Sequence, residues 1–172
     1  KEQVLIIDIE GNIADIVSTN DAGDGVEIFK GILSPGFINA HCHLELSHLK
    51  NIIPHKTGLV NFVIKVVSER HYPQHDILNA INDAEAEMCQ EGIVAVGDIC
   101  NNSLSLVQKD KKNLCYYNFI EASGWNAEVA QARFDNSKFY YEEFIKKGFK
   151  TSIVPHAPYS ISGNLWGKIT PF

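Results

Sequence analysis

The chain has 172 residues, 45% of them hydrophobic, enough to bury a core of its own. Fifteen Lys and Arg against 21 Asp and Glu give a formal charge of −6, and the densest basic stretch is KDKK at 109–112, so no phosphate-tracking surface exists and nucleic acid is not an expected partner. No apolar run approaches the roughly 20 residues of a membrane helix and no charged-then-apolar leader precedes a cleavage site, so no membrane partner is expected and the expected compartment is the cytoplasm.

Residues 4–17 set two apolar stretches around Glu10-Gly11-Asn12, which predicts a β-hairpin, and NDAGDG at 20–25 reads as a solvated turn. Beyond Ile28 the pattern alternates strand and helix. A first strand is predicted over Ile32–His43. Helices follow from the spacing of Leu59, Phe62, Val63, Val66 and Val67, and of Ile77, Ile81, Ala84 and Met88, the latter stopped by Gly92. GIVAVGDIC (92–100) predicts a second strand, then come a short polar helix over 103–112 and a third strand within LCYYNFIEASG (114–124). A helix over 137–147 ends at Gly148, FKTSIVPHAPYS (149–160) opens a fourth strand, and GNLWGKITPF reads as a last helix. Strands apolar on both faces that alternate with helices imply an α/β chain with a parallel sheet. The opening inside an apolar run and a single methionine, Met88, lead us to expect a piece of a longer polypeptide.

The cysteines at 42, 89, 100 and 115 contain no C-x-x-C pair and are expected to be reduced and buried. Each predicted strand ends in a titratable residue: His41 and His43, Asp98, Glu121, His156. Ligand sites in parallel α/β folds gather outside the carboxyl ends of strands, so these groups mark a candidate rim. Residues two apart on a strand project to one side with about 6.6 Å of rise, so His41 and His43 can converge on one ion while Cys42 points away. The bland alternative is a pair of hydrogen-bonded rim histidines without metal. The setting, Pro35-Gly36 and an apolar strand before the pair and Glu45 behind it, favours the ion.

SPGFINAHCHLELSH (34–48) resembles the first barrel strand of the amidohydrolase superfamily, in the branch of cyclic-base deaminases, guanine deaminase and chlorohydrolases; VPHAPYSIS (154–162) resembles that branch's strand-four or strand-five segment. The resemblance covers nearly the whole chain. It implies a partial (β/α)8 TIM barrel of the metallo-dependent hydrolase type over 31–172, the first half of the barrel, and part of a small N-terminal β-sandwich over 1–30. It further implies one divalent metal ion, zinc or else iron, with His41 and His43 as ligands and His156 contacting a small-molecule substrate. Family members draw a third histidine, a glutamate proton shuttle, a further histidine and an aspartate from later strands, so the catalytic residues are not assigned and the isolated piece is expected to be inactive. Lys150 begins its strand, the wrong end to bridge two ions, which favours one metal.

Glu121 is a candidate to orient a substrate amine or hydroxyl, or else a rim carboxylate bonded to backbone. His48, on the loop after the first strand, is a candidate substrate contact. Glu45 lies past the strand end and is not expected to shuttle protons; Asp98 is read as structural. Pro73 breaks any helical alignment of His71 with His75, His55 is a loop residue, and the sequon Asn101-Asn102-Ser103 carries no role without secretion. The implied function is metal-dependent hydrolysis, a deamination or related C–N or C–Cl cleavage of a small nitrogen heterocycle. Two alternatives are a cyclic amide hydrolase of the dihydroorotase or imidazolonepropionase kind and a noncatalytic binding module derived from the barrel. Half a barrel leaves open edges, so homo-oligomerisation is expected.

Overall fold

The computed structural model describes residues 3–172, which divide into two units, one ending at Pro35 and one running from Gly36 to Phe172. In the first, β1 (Gln3–Ile7) and β2 (Ile13–Ser18) pair antiparallel, with Val4 opposite Val17 and Leu5 opposite Ile16. Asp8 organises their turn. Its Oδ1 accepts the backbone N–H of Glu10 (3.0 Å) and of Asn12 (2.8 Å), and Gly11 takes the left-handed φ of 86° that the reversal needs.

The second unit holds four parallel strands, β3 (Phe37–Cys42), β4 (Ile93–Cys100), β5 (Cys115–Ala122) and β6 (Lys150–Pro155), lying side by side in their order along the chain. Between them run α1 (Leu59–Glu69), α2 (Gln74–Gln90), α3 (Leu106–Lys109) and α4 (Ala130–Lys146), and α5 (Gly163–Ile169) follows β6. Helices α2, α3, α4 and α5 share one face of the sheet. Val96 of β4 and Tyr116 of β5 bury with Ile77 and Ile81 of α2, while Ile120 of β5 and Ile153 of β6 bury with Phe144 of α4 and Leu165 of α5. On the opposite face Tyr117 donates to or accepts from Ser152 at 2.7 Å and packs its ring on Phe119. A sheet wound in one direction, with sequential strands and helices on one side, is the wall of a (β/α)8 barrel; a doubly wound sheet would reverse its order and carry helices on both faces.

Several boundaries differ from the sequence reading. The first strand starts at Phe37, since Pro35 has no N–H for the ladder, and it stops at Cys42; His43 has left the strand, at φ −122° and ψ 74°. α4 begins seven residues before 137, and α3 is a single turn, closed before Lys112 at φ 58°. Of the four thiols only Cys100 is fully buried and Cys42 is partly so; Cys89, on the solvent side of α2, and Cys115, at the open start of β5, are exposed. α1 buries none of its residues: Leu59, Val60, Phe62, Val63, Ile64 and Val67 all remain exposed.

Candidate functional site

The site begins with an irregularity in β3. Asn39 pairs with Val96 and Cys42 with Asp98, so three steps on β3 oppose two on β4, and the surplus residue bulges at Ala40–His41. Gly97 makes room for it, because a Cβ there would stand 2.8 Å from the Ala40 carbonyl oxygen. The bulge leaves Cys42 packed among the residues beneath α2, where burial, with the Asp98 carboxylate next, pushes its thiol up to about 12. His41 and His43 stand together, ring centres 5.2 Å apart and planes at 70°.

Asp98 is not at the rim, where the strand-end rule placed it. It sits within β4 on the helix side, fully buried, and its Oδ1 accepts the Leu44 N–H at 2.8 Å, pinning the chain just after His43. Its Oδ2 is ion-paired at 2.5 Å with Lys109 Nζ, which also donates to Asn118 Oδ1 at 2.7 Å and lies against the Tyr116 and Phe144 rings. These contacts make Asp98 the structural residue the sequence suggested, for a reason the sequence did not offer.

Two imidazoles sharing a tetrahedral ion at about 2.0–2.1 Å have ring centres about 5 Å apart, which the His41–His43 pair satisfies. The Nδ1 of His43 is buried with no protein partner, and burial lowers the pKa of this ring against the opposing pull of Glu121, which favours the neutral, ligating form. The donor set therefore fits a divalent ion that prefers nitrogen. It supplies two ligands; among the described residues no group of three or more His, Cys, Asp and Glu is arranged around one ion.

At the ends of the next two strands, Glu121, last but one in β5, and His156, one residue past β6, join directly: His156 Nδ1 lies 2.5 Å from Glu121 Oε1. The His156 N–H donates to the Ala122 carbonyl at 2.9 Å, which fixes its backbone to β5. Asn101, first residue after β4, donates its amide to Glu121 Oε2 at 3.0 Å. Sequence reading saw Asn101 only as part of a sequon. Its signal was available, a polar residue directly after an apolar strand.

Glu45 lies on a 3₁₀ segment, Leu44–Leu49, almost wholly buried. Its Oε2 accepts the backbone N–H groups of Asn101 and Asn102, each at 3.0 Å, and burial outweighs these bonds to push its carboxyl up to about 7. That engagement suits a brace between two loops. His48, three residues on, packs against the Tyr72 ring with centres 5.2 Å apart and makes no hydrogen bond to the other site residues; both its ring nitrogens are buried and unpartnered. His43 also borders a cleft against α2, lined by Leu46, Ser47, Lys50 and Glu87.

No family model matches the chain. A curated relative, adenosine deaminase of Helicobacter pylori, is 24% identical over 135 residues, spanning 78% of this chain and 33% of that protein. Guanine deaminase from C. acetobutylicum, solved with guanine in its active site, superposes with a TM-score of 0.70 at 16% identity, covering 97% of this chain and 44% of its own. The chain has the fold of the corresponding part of that deaminase. Other solved amidohydrolases align similarly: Helicobacter pylori aminofutalosine deaminase with methylthio-coformycin (TM-score 0.63, 23% identity, 78% and 33% covered) and the zinc complex of atrazine chlorohydrolase from Arthrobacter aurescens (0.62, 12%, 78% and 37%). The chain spans about a third of the length of the curated relative it matches.

Proposed function

We propose that this chain supplies the metal-binding pair and part of the substrate pocket of a hydrolase that deaminates a small nitrogen heterocycle. The observation carrying the reading is the His41–His43 pair at the end of the first strand of an amidohydrolase wall, with its ring spacing and the unpartnered His43 nitrogen. His41 and His43 would hold a divalent ion, zinc foremost and iron as the alternative, and the zinc in a related chlorohydrolase supports that choice. When bound, such an ion lowers the pKa of a water ligand and polarises the carbon under attack.

The chain's own residues do the rest of the work. Leu44, tied through its N–H to Asp98, holds the backbone behind the pair in place. Glu121 and His156 form a fixed polar edge to which ring nitrogens or an amine of the substrate hydrogen-bond, and His48 would add a contact from the loop above. Glu45, held by two amides, serves the scaffold and does not move a proton. Relatives that include a chlorohydrolase favour a second outcome, displacement of chloride from the same kind of ring.

Metal analysis of the full-length protein tests the reading. We expect stoichiometric zinc or iron in the wild type and its loss in a His41→Ala/His43→Ala variant; retained metal would reject the assignment. Ammonia release from a panel of amino-substituted heterocycles is expected of the full-length protein, and its fall on His156→Ala should appear chiefly in KM. Ring opening of cyclic amides without ammonia would move the assignment to the amidases.

A further inference from the structure

Four hydrogen bonds link the ends of all four strands in one chain. Glu45, beyond β3, accepts from the N–H groups of Asn101 and Asn102; Asn101, beyond β4, donates Nδ2 to Glu121 of β5; and Glu121 meets His156 Nδ1 beyond β6. An ionised carboxylate only accepts, so Glu121 Oε1 requires the proton of His156 to sit on Nδ1, leaving Nε2 as the ring atom offered to a ligand. A carboxylate with one oxygen free would swing about its last side-chain bond. Here the second oxygen, Oε2, is occupied by Asn101. The Glu121 side chain is 10% exposed and the His156 side chain 44%, so the buried partner orients the accessible one.

We infer that Asn101 is a positioning residue: braced by Glu45, it locks Glu121, and through Glu121 fixes the tautomer and orientation of His156. The relay rests on the reading of His156 as a substrate contact only for its purpose; its geometry stands without a ligand. Asn101 touches no substrate. It acts on recognition at one remove, as outer partners do when they set which nitrogen of a histidine is presented.

The test is the ¹⁵N spectrum of the His156 side chain in the metal-bound protein, recorded above the imidazole pKa. The wild type should show one pyrrole-type nitrogen, Nδ1, and one pyridine-type nitrogen, Nε2. In Asn101→Ala the two resonances should move toward the averaged positions of exchanging tautomers. Asn101→Asp sets a carboxylate against Glu121 and should shift them further, although it is nearly isosteric and a residue that merely fills the loop would tolerate it. Glu45→Gln keeps an acceptor for the two N–H groups and should preserve the wild-type pattern, whereas Glu45→Ala should follow Asn101→Ala. Unchanged ¹⁵N shifts in folded Asn101→Ala, judged by an unaltered far-UV spectrum, would overturn the relay. A changed tautomer combined with a KM indifferent to His156→Ala would uphold the relay and reject the substrate role of His156.

Discussion

Lys109 Nζ lies 2.5 Å from Asp98 Oδ2, and both side chains are sealed from solvent beneath α3. A buried pair gains little over apolar residues of the same shape, yet breaking it by removing one member leaves a charge without compensation. Lys109→Met should therefore destabilise the protein by about 3–5 kcal/mol, read from denaturant midpoints. Asp98→Asn added to Lys109→Met retains an acceptor for the Leu44 N–H and should recover most of that loss. A double variant no more stable than Lys109→Met would show that the pair is not what holds this region.

Gly97 offers a second test. The Cβ of an alanine would meet the Ala40 carbonyl oxygen at 2.8 Å and the Phe119 ring at 3.2 Å. Neither neighbour is a flexible side-chain end. Gly97→Ala should cost about 1–3 kcal/mol and, by pushing on the bulge, weaken retention of the proposed metal ion. Retention equal to wild type would separate the bulge from the placement of His41.

The hairpin turn should respond to acid. The Asn12 N–H, foremost, holds the Asp8 carboxyl below the usual carboxylate range. A depressed folded pKa means the stabilisation is complete above the unfolded value of 3.8 and is lost as pH falls through the lower folded one. NMR titration should give Asp8 a midpoint under 3.8, with the amide signals of Glu10 and Asn12 moving in step. Asp8→Asn should abolish that movement.

Thiol accessibility gives a prediction about the wall itself. Cys89 and Cys115 should react promptly with a water-soluble disulfide reagent near neutral pH, while Cys100, fully buried, should react only after denaturation. Burial and the Asp98 carboxylate raise the Cys42 and Cys100 thiols, so neither offers a thiolate to the reagent. A fast reaction at Cys100 would contradict its place under the sheet.

The elements with strong local signals were legible in the sequence: the hairpin around Glu10-Gly11-Asn12, the α2 stripe of Ile77 and Ile81, and the strand ends that bring Glu121 to His156. What escaped depends on partners distant in the chain. Lys109 opens the densest basic stretch, KDKK, and only the fold sets it under Tyr116 and Phe144 against Asp98. Glu45 finds backbone donors 56 and 57 residues away, invisible to any motif. The early start of α4 was masked by Asp135 and Asn136, poor helix formers that tertiary packing of Ala130 and Phe134 overrides. The outward turn of Cys42 was anticipated from simple alternation, although the ladder beneath it is bulged.

The order of strands in the sheet has a consequence for how this polypeptide matures. Each of β4, β5 and β6 hydrogen-bonds to the strand synthesised just before it, so every ladder closes a loop of only tens of residues. A nascent chain can thus lay down the wall one strand at a time as it leaves the ribosome, each newcomer docking on an edge already built.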